Sequence, residues 1–315
     1  PPLPKPYEFV PLPEGKLPLQ PPAGHHRYAN DRLTGTLTAT IIAHSSVHVA
    51  SGLLEQTKNR DYPLVKGHFR TQGRLAIPAT SLKGCIRSIL EAISPSAVTI
   101  TRARPLPRGA EASYELDKLD VAQRLFGTLG YQGQVRFSDA LIEPEDTQPE
   151  IVPSVQLFRP RPESVDTYFE GRRARGRKFY MHGTLAGGDL PLEACPIGSN
   201  FALQMEFENM SAGELGLVLT ALGLSEEAGK PRFYPKLGGA KPACLGTIEI
   251  AEVSLTGFAG AAVYTDFDAT SQPLDVSALL AAAQREGLVL TAQLGRLAEV
   301  LRWPREERGC PDRNY

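Results

Sequence analysis

The sequence predicts an α+β fold built on a ferredoxin-like (RRM-like) βαββαβ core. Two stretches alternate apolar and polar or β-branched residues as a half-buried strand does, one within 33–49 and one at 201–207. Each is followed by apolar residues at helical spacing, and each helix pattern is followed by a further strand pattern. The sequence thus predicts a strand, a helix and a strand, and then the same three elements again. This is the element order of the ferredoxin-like core. Such a core needs about a hundred residues, so a chain of 315 residues carries large insertions and extensions.

The first half of the core is predicted as a strand, a long loop and a helix. Residues 33–42 alternate apolar and β-branched side chains, which favours a strand. Residues 50–74 are polar and contain glycine, and a loop of this length in a compact domain is usually functional or disordered. After Pro78 a helix is expected, with Thr80 or Ser81 as its N-terminal cap. Its apolar face consists of Leu82, Ile86, Ile89, Leu90 and Ile93.

The second half of the core begins after residue 200 and shows a clear helix start. Ser211 and Glu214 have the spacing of a capping box, so the second core helix is expected to begin there. The other predicted elements are a short helix at 120–126, strands at 134–140, 201–207 and 245–255, and helices near 275–286 and 290–303.

The chain divides into an arm, a core domain and a helical extension. Residues 1–30 contain nine prolines and are expected to form an extended N-terminal arm. The core domain covers 31–260, with a turn-rich, basic insertion near 150–190. Residues 261–315 form a helical C-terminal extension. Its apolar stripe at 290–301 is expected to pack mostly within the chain, with contacts to neighbouring subunits as the alternative.

Charge is segregated along the chain. The formal net charge is −1, so no global field attracts nucleic acid, and a site for a polyanion must be a local patch. Residues 172–178 form such a patch, because five of these seven residues are cationic, whereas 139–150 carry five acids and no base. Five adjacent cations repel one another without a polyanion, although a solvated charged turn is the simpler alternative.

Hydropathy and cysteine content narrow the class of protein further. No apolar run is long enough for a membrane span and no signal-peptide pattern is present, so we expect a cytoplasmic protein without a membrane partner. The cysteines lie far apart without a C-x-x-C pair, which argues against a zinc site or a disulfide framework and predicts reduced thiols. They are Cys85, Cys195, Cys244 and Cys310.

Two short segments have the chemistry of a phosphate-binding surface. The helix after Pro78 offers free N–H groups at its start together with Ser81, Lys83 and Arg87, a combination that can hold a phosphate backbone. Gly238 and Gly239, followed by Lys241, allow close approach of an extended ligand such as RNA. The alternatives are an ordinary capped helix and a tight turn, since neither a P-loop nor a G-x-G-x-x-G motif is present.

Four motifs occur in an order that resembles the RAMP superfamily, and more narrowly the backbone subunits of type III CRISPR effector complexes. They are Ile77–Gly84 with Arg87, Arg124–Gly127, Val135–Ala140 and Leu237–Gly246. Phe9–Pro13 and Arg175–Tyr180 resemble a branch of that family with an extended N-terminus. The resemblance covers about residues 7–255, and the C-terminal helices have no counterpart in it.

The resemblance implies a subunit that grips guide RNA and pairs it with target RNA beside other CRISPR effector subunits. Ser81, Lys83 and Arg87 match the guide-binding surface, as does the loop from Gly238 through Gly239 to Lys241. The basic segment lies where the family carries a thumb that wedges between nucleotides. Its candidate RNA-binding residues are Arg172, Arg173, Arg175, Arg177 and Lys178.

The resemblance also points to a catalytic carboxylate. Catalytic members carry an Asp between the first strand and the first helix, and Asp61 stands at the matching place. It would bind Mg²⁺ or another divalent cation, or it would help deprotonate a ribose 2′-hydroxyl. The cation would not be a tightly bound structural metal. The alternative is a surface Asp paired with Arg60 or Lys66. Ala79 replaces the glycine that is usual in the turn before the helix.

Three other functions compete with a metal-dependent target nuclease. A non-catalytic backbone subunit would make the same RNA contacts without a working Asp61. A guide-precursor-processing endoribonuclease would use His44 and His48 as metal-free acid and base. The last alternative is an α+β protein that binds no RNA. His182, next to the basic segment, is a candidate for stacking on a base.

Overall fold

The structure is a computed structural model that describes residues 5–98, 106, 109–156, 166–227, 229–266 and 268–312. The strands are β1 (Tyr7–Val10), β2 (Leu33–Ala43), β3 (Ala50–Gln56), β4 (Leu64–His68), β5 (Arg70–Thr71), β6 (Arg74–Ile77), β7 (Gly127–Thr128), β8 (Tyr131–Gln132), β9 (Val135–Phe137), β10 (Ala140–Glu143), β11 (Glu150–Ser154), β12 (Phe169–Glu170), β13 (Arg173–Ala174), β14 (Arg177–Tyr180), β15 (Leu190–Ala194), β16 (Asn200–Met210), β17 (Ile248–Ala259) and β18 (Gln272–Pro273). The helices are α1 (Ala79–Ile93), α2 (Val121–Phe126), α3 (Ala212–Ala221), α4 (Ala262–Thr265), α5 (Val276–Arg285) and α6 (Thr291–Val300).

An antiparallel sheet of eight strands carries the core. Its order is β18-β17-β2-β16-β10-β6-β5, and β9 also pairs with β16. If the four core strands β2, β9, β16 and β17 are numbered one to four along the chain, they lie in the order 4-1-3-2. This is the arrangement of a ferredoxin-like sheet, with α1 and α3 as the two crossover helices. The predicted α+β ferredoxin-like core is therefore confirmed.

The two central strands, β2 and β16, bury alternate side chains. Leu37 and Ile41 from β2 and Phe201 and Met205 from β16 are fully buried, because successive side chains of a strand point to opposite faces. Helix α1 covers this face with the apolar residues predicted from its periodicity. The capping box of Ser211 forms as expected and starts α3.

The C-terminal helices complete the core. Helix α5 packs on α3, and α6 packs on α1. A Cβ atom on Gly216 would lie 1.9 Å from the backbone oxygen of Leu279, so a glycine is required where α3 and α5 cross. Leu294, Leu297 and the end of α6 are buried, which confirms that most of this stripe packs within the chain.

The prediction of a long loop at 50–74 is wrong. Strands β3 and β4 form a hairpin there, and they belong to a second sheet of order β11-β15-β4-β3. Strand β3 is a sheet edge whose residues are mostly exposed on both faces. Its sequence consequently lacks the alternation of buried apolar residues that identifies a half-buried strand.

The predicted strand at 134–140 is interrupted. It consists of β9 and β10, separated by Ser138 and Asp139. The Asp139 carboxylate accepts hydrogen bonds from the Thr71 hydroxyl at 2.7 Å and from the Ala79 N–H at 2.8 Å. The strand therefore breaks where this side chain turns to the start of α1.

Cysteine pairing also differs from the prediction. Cys244 and Cys310 form a disulfide with a Cα–Cα distance of 5.9 Å, whereas Cys85 and Cys195 are free. The two paired residues are 66 positions apart, and they meet because the segment around Gly309 returns to lie beside Thr184. Within the described residues, none of the helices has the length and apolar character needed to cross a bilayer.

Candidate nucleic-acid interface

Helix α1 and the basic segment line one cavity. The cavity has a volume of about 460 Å³. Gly84, Arg87 and Ser88 contribute from α1, and the stretch from Gly176 to Phe179 contributes from the strand opposite. Two surfaces that are about ninety residues apart in sequence thus become the two walls of one groove.

A second cavity of about 780 Å³ continues from the first and shares Leu12, Leu106 and Ala174 with it. One wall is the proline-rich stretch Pro11–Gly15 of the arm, and the other is the turn between β12 and β13. We call the two cavities together the basic groove. Its cationic lining in the second cavity consists of Arg172, Arg173 and Arg175.

These three arginines are exposed. Arg173 pairs with Glu14 of the arm at 2.6 Å, and both side chains are more than 60% exposed, so this ion pair is weak. The Arg175 Nε donates to the Phe169 carbonyl at 3.1 Å, which fixes the direction of its side chain. Because this ion pair is weak and the guanidinium groups are exposed, the arginines can take phosphate oxygens as partners.

Arg177 has a different position from its neighbours. It donates to Glu91 at 2.7 Å and to the Ala97 carbonyl at 2.6 Å, and burial lowers the pKa of its guanidinium. Glu91 also accepts from Arg87 Nε at 2.9 Å. The pair of arginines around one buried carboxylate therefore fixes α1 against β14, and Arg177 acts on the groove by holding its walls together.

Lys178 lies inside a cage of tyrosines. Its Nζ is 4.8 Å from the ring centre of Tyr7, 4.9 Å from that of Tyr180 and 5.3 Å from that of Tyr168. It also donates to the Tyr168 hydroxyl at 2.9 Å. The cage joins the arm to the basic segment through cation–π contacts, so the ammonium group is already engaged.

The arm reaches the groove as a strand. Strand β1 pairs antiparallel with β14, with Tyr7 opposite Tyr180 and Val10 opposite Arg177. A Cβ atom on Gly176, whose φ is +137°, would lie 2.0 Å from the Val10 carbonyl oxygen. A glycine is therefore needed at this position for the arm to lie against β14.

The side-chain cap predicted for α1 is wrong. Pro78 occupies the cap position, and neither Thr80 nor Ser81 caps the helix. The first N–H is instead satisfied by the Asp139 carboxylate described above. A carboxylate at the helix start competes with a phosphate for the same partial positive charge, so the helix meets a ligand through the side chains of its groove face.

The sequence predicted only some of the residues on the groove face of α1. Arg87 was recognised, and its Nε and Nη1 are bonded to Glu91 and to the Gly127 carbonyl, which leaves Nη2 for a ligand. Gly84 and Ser88 were not predicted. They are four residues apart and Gly84 is three residues before Arg87, so helical periodicity could have placed them on the same face. Lys83 is half-buried, and burial together with Arg87 lowers the pKa of its ammonium group.

The glycine loop contacts the core through His48. The Gly239 N–H donates to the His48 carbonyl at 2.7 Å, and a Cβ on Gly238, whose φ is +85°, would lie 2.3 Å from the same oxygen. Lys241 is half-buried and begins a short 3₁₀ helix. The Cys85 thiol donates to the Lys236 carbonyl at 3.5 Å and places the loop beside α1.

Asp61 is exposed in the turn of the β3–β4 hairpin. Its N–H donates to the Asn59 side chain at 2.9 Å, which shapes the turn. Its carboxylate makes no ion pair with Arg60, Lys66 or any other residue that the structure describes. Asp61 is also absent from the lining of both cavities of the basic groove.

Asp61 could supply one ligand to a divalent cation. No group of three or more His, Cys, Asp or Glu side chains able to hold a metal occurs in the described part of the chain. A Mg²⁺ ion requires about six oxygen ligands, so phosphate oxygens and water would have to supply the others.

The family model of the RAMP superfamily matches residues 40–249, which is about two thirds of the chain. The chain belongs to the RAMP superfamily. It is accordingly a CRISPR-associated RNA-binding protein. The match contains α1, the basic segment, the glycine loop and Asp61, whereas the arm and the helices α5 and α6 lie outside it. No curated protein matches the chain significantly.

The histidines of this RAMP protein do not form an acid–base pair. Strand β2 ends at Ala43, and His44 turns to Glu249, with 2.6 Å between Nε2 and the carboxylate. His48 is 3% exposed, and its Nδ1 bonds to the Glu193 carbonyl at 2.6 Å. Burial lowers the pKa of His48, which keeps it neutral.

His182 is not available for stacking on a base. It is fully buried between the Thr247 hydroxyl and the Tyr234 carbonyl, at 2.8 and 2.9 Å from its ring nitrogens. Burial lowers its pKa to about 3. The candidate RNA contacts of this RAMP protein therefore come from the basic groove and the glycine loop.

Proposed function

We propose that this RAMP protein is a guide-RNA-binding backbone subunit of a type III CRISPR ribonucleoprotein. The observation that carries the proposal is the basic groove, because it joins α1 to exposed arginines along one continuous path. A path with separate cationic groups fits a phosphate backbone better than a compact anion. Its partners are guide RNA, target RNA and other effector subunits.

The groove assigns different tasks to its cations. Arg172, Arg173 and Arg175 contact phosphates, and Arg87 contributes its remaining Nη2 from the opposite wall. Ser81, Lys83 and the Gly238–Lys241 loop, none of which lines either cavity, would contact the guide RNA beyond the groove. Arg177 and Lys178 hold the walls together.

RNA binding tests this assignment. In the complex, replacing Arg172 and Arg175 together by Gln should weaken guide-RNA binding and lower the dependence of affinity on salt, because fewer counterions are released. The matched control is Arg285→Gln with Lys230→Gln, which removes two exposed cations elsewhere. Equal affinities and salt slopes for both double variants would contradict the proposed groove.

We further propose that the subunit cleaves guide-complementary target RNA through Asp61. The supporting observation is a carboxylate that is exposed in a hairpin turn and has no ion pair. A bound divalent cation, with Mg²⁺ as the first candidate, would neutralise charge on the phosphate under attack. Asp61 would hold that cation or accept the proton of the ribose 2′-hydroxyl as it attacks in line.

Cleavage by the assembled complex separates this proposal from a non-catalytic backbone subunit. With complementary RNA and Mg²⁺, Asp61→Asn should abolish cleavage opposite this subunit while guide binding stays unchanged. Asp146→Asn, which alters another exposed loop carboxylate, is the control. Cleavage by Asp61→Asn at the wild-type rate would leave the binding proposal standing and remove the catalytic one.

A further inference from the structure

Three cations lie near one another where the C-terminal extension meets the start of the glycine loop, and none of them forms an ion pair with a carboxylate that the structure describes. They are Lys236, Arg305 and Arg308, which we call the C-terminal cation cluster. Lys236 is 6% exposed and Arg305 is 7% exposed, whereas Arg308 is half-buried and opens the cluster to solvent. Charged groups buried to this extent are normally paired with an opposite charge.

The hydrogen bonds of the cluster go to backbone carbonyls only. Lys236 Nζ donates to Met181 at 3.0 Å, and Arg305 Nη2 donates to Glu299 at 2.6 Å. Arg308 Nη2 donates to Lys5 at 2.8 Å. Buried nitrogens remain without a partner, namely Arg305 Nε and Arg308 Nη1. The cluster thus presents unused donors that point to a missing acceptor.

The acidic groups near the cluster have other partners. Glu8 and Glu299 both pair with Arg296, at 2.9 and 2.7 Å. Glu307 pairs with Arg302. His182, which also lies beside the cluster, is held neutral by burial, by Lys236 and by Arg305, which lower its pKa to about 3.

The cations also destabilise one another. Burial is the main cause of a lowered Lys236 pKa of about 7, and Arg308 and Lys241 lower it further. Burial, Arg302 and Arg308 lower the pKa of Arg305 in the same way. An anion at this place would relieve that repulsion and satisfy the free nitrogens.

From this geometry we propose that the C-terminal cation cluster binds one phosphate group. Two guanidinium groups and an ammonium group with free N–H donors suit the tetrahedral oxygens of phosphate. Arg305 and Arg308 lie in the segment that the Cys244–Cys310 disulfide ties to the end of the glycine loop. The site is separate from the basic groove, and its phosphate is either free phosphate or part of an RNA backbone.

Thermal unfolding in sodium phosphate and in sodium chloride of equal ionic strength tests the site without RNA. Phosphate should raise the Tm of the wild type by several degrees, because a ligand that binds only the folded state stabilises it. Arg285→Gln, an exposed cation on α5, should keep the full shift. Arg308→Gln should lose most of it. The proposal fails if the wild type shows no phosphate-specific shift, or if Arg308→Gln keeps it.

Lys236→Met provides a second variant whose folding is expected to be secure. In chloride it should unfold at or above the wild-type temperature, because it removes a buried cation that Arg308 and Lys241 repel. It should also lose the phosphate shift. A lower Tm in chloride together with an intact phosphate shift would overturn the proposal.

Affinity for single-stranded RNA then identifies the source of the phosphate. Arg308→Gln should bind RNA about tenfold more weakly than Arg285→Gln if the phosphate belongs to RNA, which is the loss of one charged hydrogen-bonding partner. Equal affinities, with the Tm difference retained, would assign the site to free phosphate. Failure of the groove variants to change RNA binding would leave the thermal result intact.

Discussion

The basic groove and the β3–β4 hairpin carry the two halves of the proposed activity, and they are built in opposite ways. The groove walls are held by a buried carboxylate between two arginines and by a strand of the arm. The hairpin has an exposed edge strand, and Leu53, Leu54 and Leu64 are each at least half exposed on it. The proposed binding thus rests on a preformed surface, whereas the proposed cleavage requires RNA to complete the surroundings of the Asp61 carboxylate.

The largest expected effect comes from breaking the groove walls apart. Glu91→Ala leaves Arg177 buried without its ion-pair partner, so the free energy of unfolding should fall by about 3–5 kcal/mol. Urea unfolding measures this loss. Glu299→Ala removes an exposed partner of Arg296 and should cost less than about 1 kcal/mol. Similar losses for both variants would show that the Glu91 pair does not organise the groove.

Acid should destabilise the protein in part through the hairpin. His68 ends β4, and burial, the main cause, lowers its folded pKa from 6.5 to about 4. The unfolded state therefore binds a proton that the folded state does not bind. The free energy of unfolding consequently falls as pH drops from about 6.5 to about 4. The shift corresponds to roughly 3 kcal/mol at 1.36 kcal/mol per pKa unit.

The measurement is the free energy of unfolding in urea at several pH values. Replacing His68 by Gln should reduce the slope between pH 6.5 and 4, and the buried His48 and His182, whose pKa values are also lowered, should account for the slope that remains. The exposed His26 is the control, since His26→Gln should leave the slope unchanged. A wild-type curve that is flat over this range would contradict the neutral state of His68.

A smaller effect is expected where the arm meets the groove. Gly176→Ala places a methyl group 2.0 Å from the Val10 oxygen, so the arm should detach at a cost of about 1–3 kcal/mol. Faster proteolysis within residues 5–15 would report the detachment. Gly171→Ala also has a positive φ but meets no atom within 4 Å, so it should leave the arm protected. Equal protection of both variants would mean that β1 is not held by the pairing at Gly176.

Local patterns in the sequence predicted the core but not the contacts that decide each side chain's role. The periodicity of α1, the capping box at Ser211 and the alternation in β2 are local, and the structure confirms them. The roles of Arg177 and Lys178 depend on Glu91 and on three tyrosines from distant segments. A basic run indicates a polyanion site, but it does not distinguish cations that face solvent from those that face the protein.

The hairpin and the disulfide were missed for the same physical reason. Strand β3 is stabilised by its pairing with β4 rather than by burial of its own side chains. Cys244 and Cys310 are joined by a return of the chain over 66 residues. Both depend on pairing with another segment of the chain, which leaves no periodic signal in the sequence.

Strand β14 has consequences for the order in which this protein matures on the ribosome. One side of the strand pairs with β1, which is synthesised first. Just beyond the strand, the Thr184 N–H and hydroxyl donate to the carbonyl of Arg308, which is synthesised 124 residues later. Because only residues that have already emerged can pair during synthesis, β14 can pair with β1 early, whereas the contact of Thr184 must wait for the end of the chain. The walls of the basic groove, whose lining residues all precede position 180, can then form before that contact.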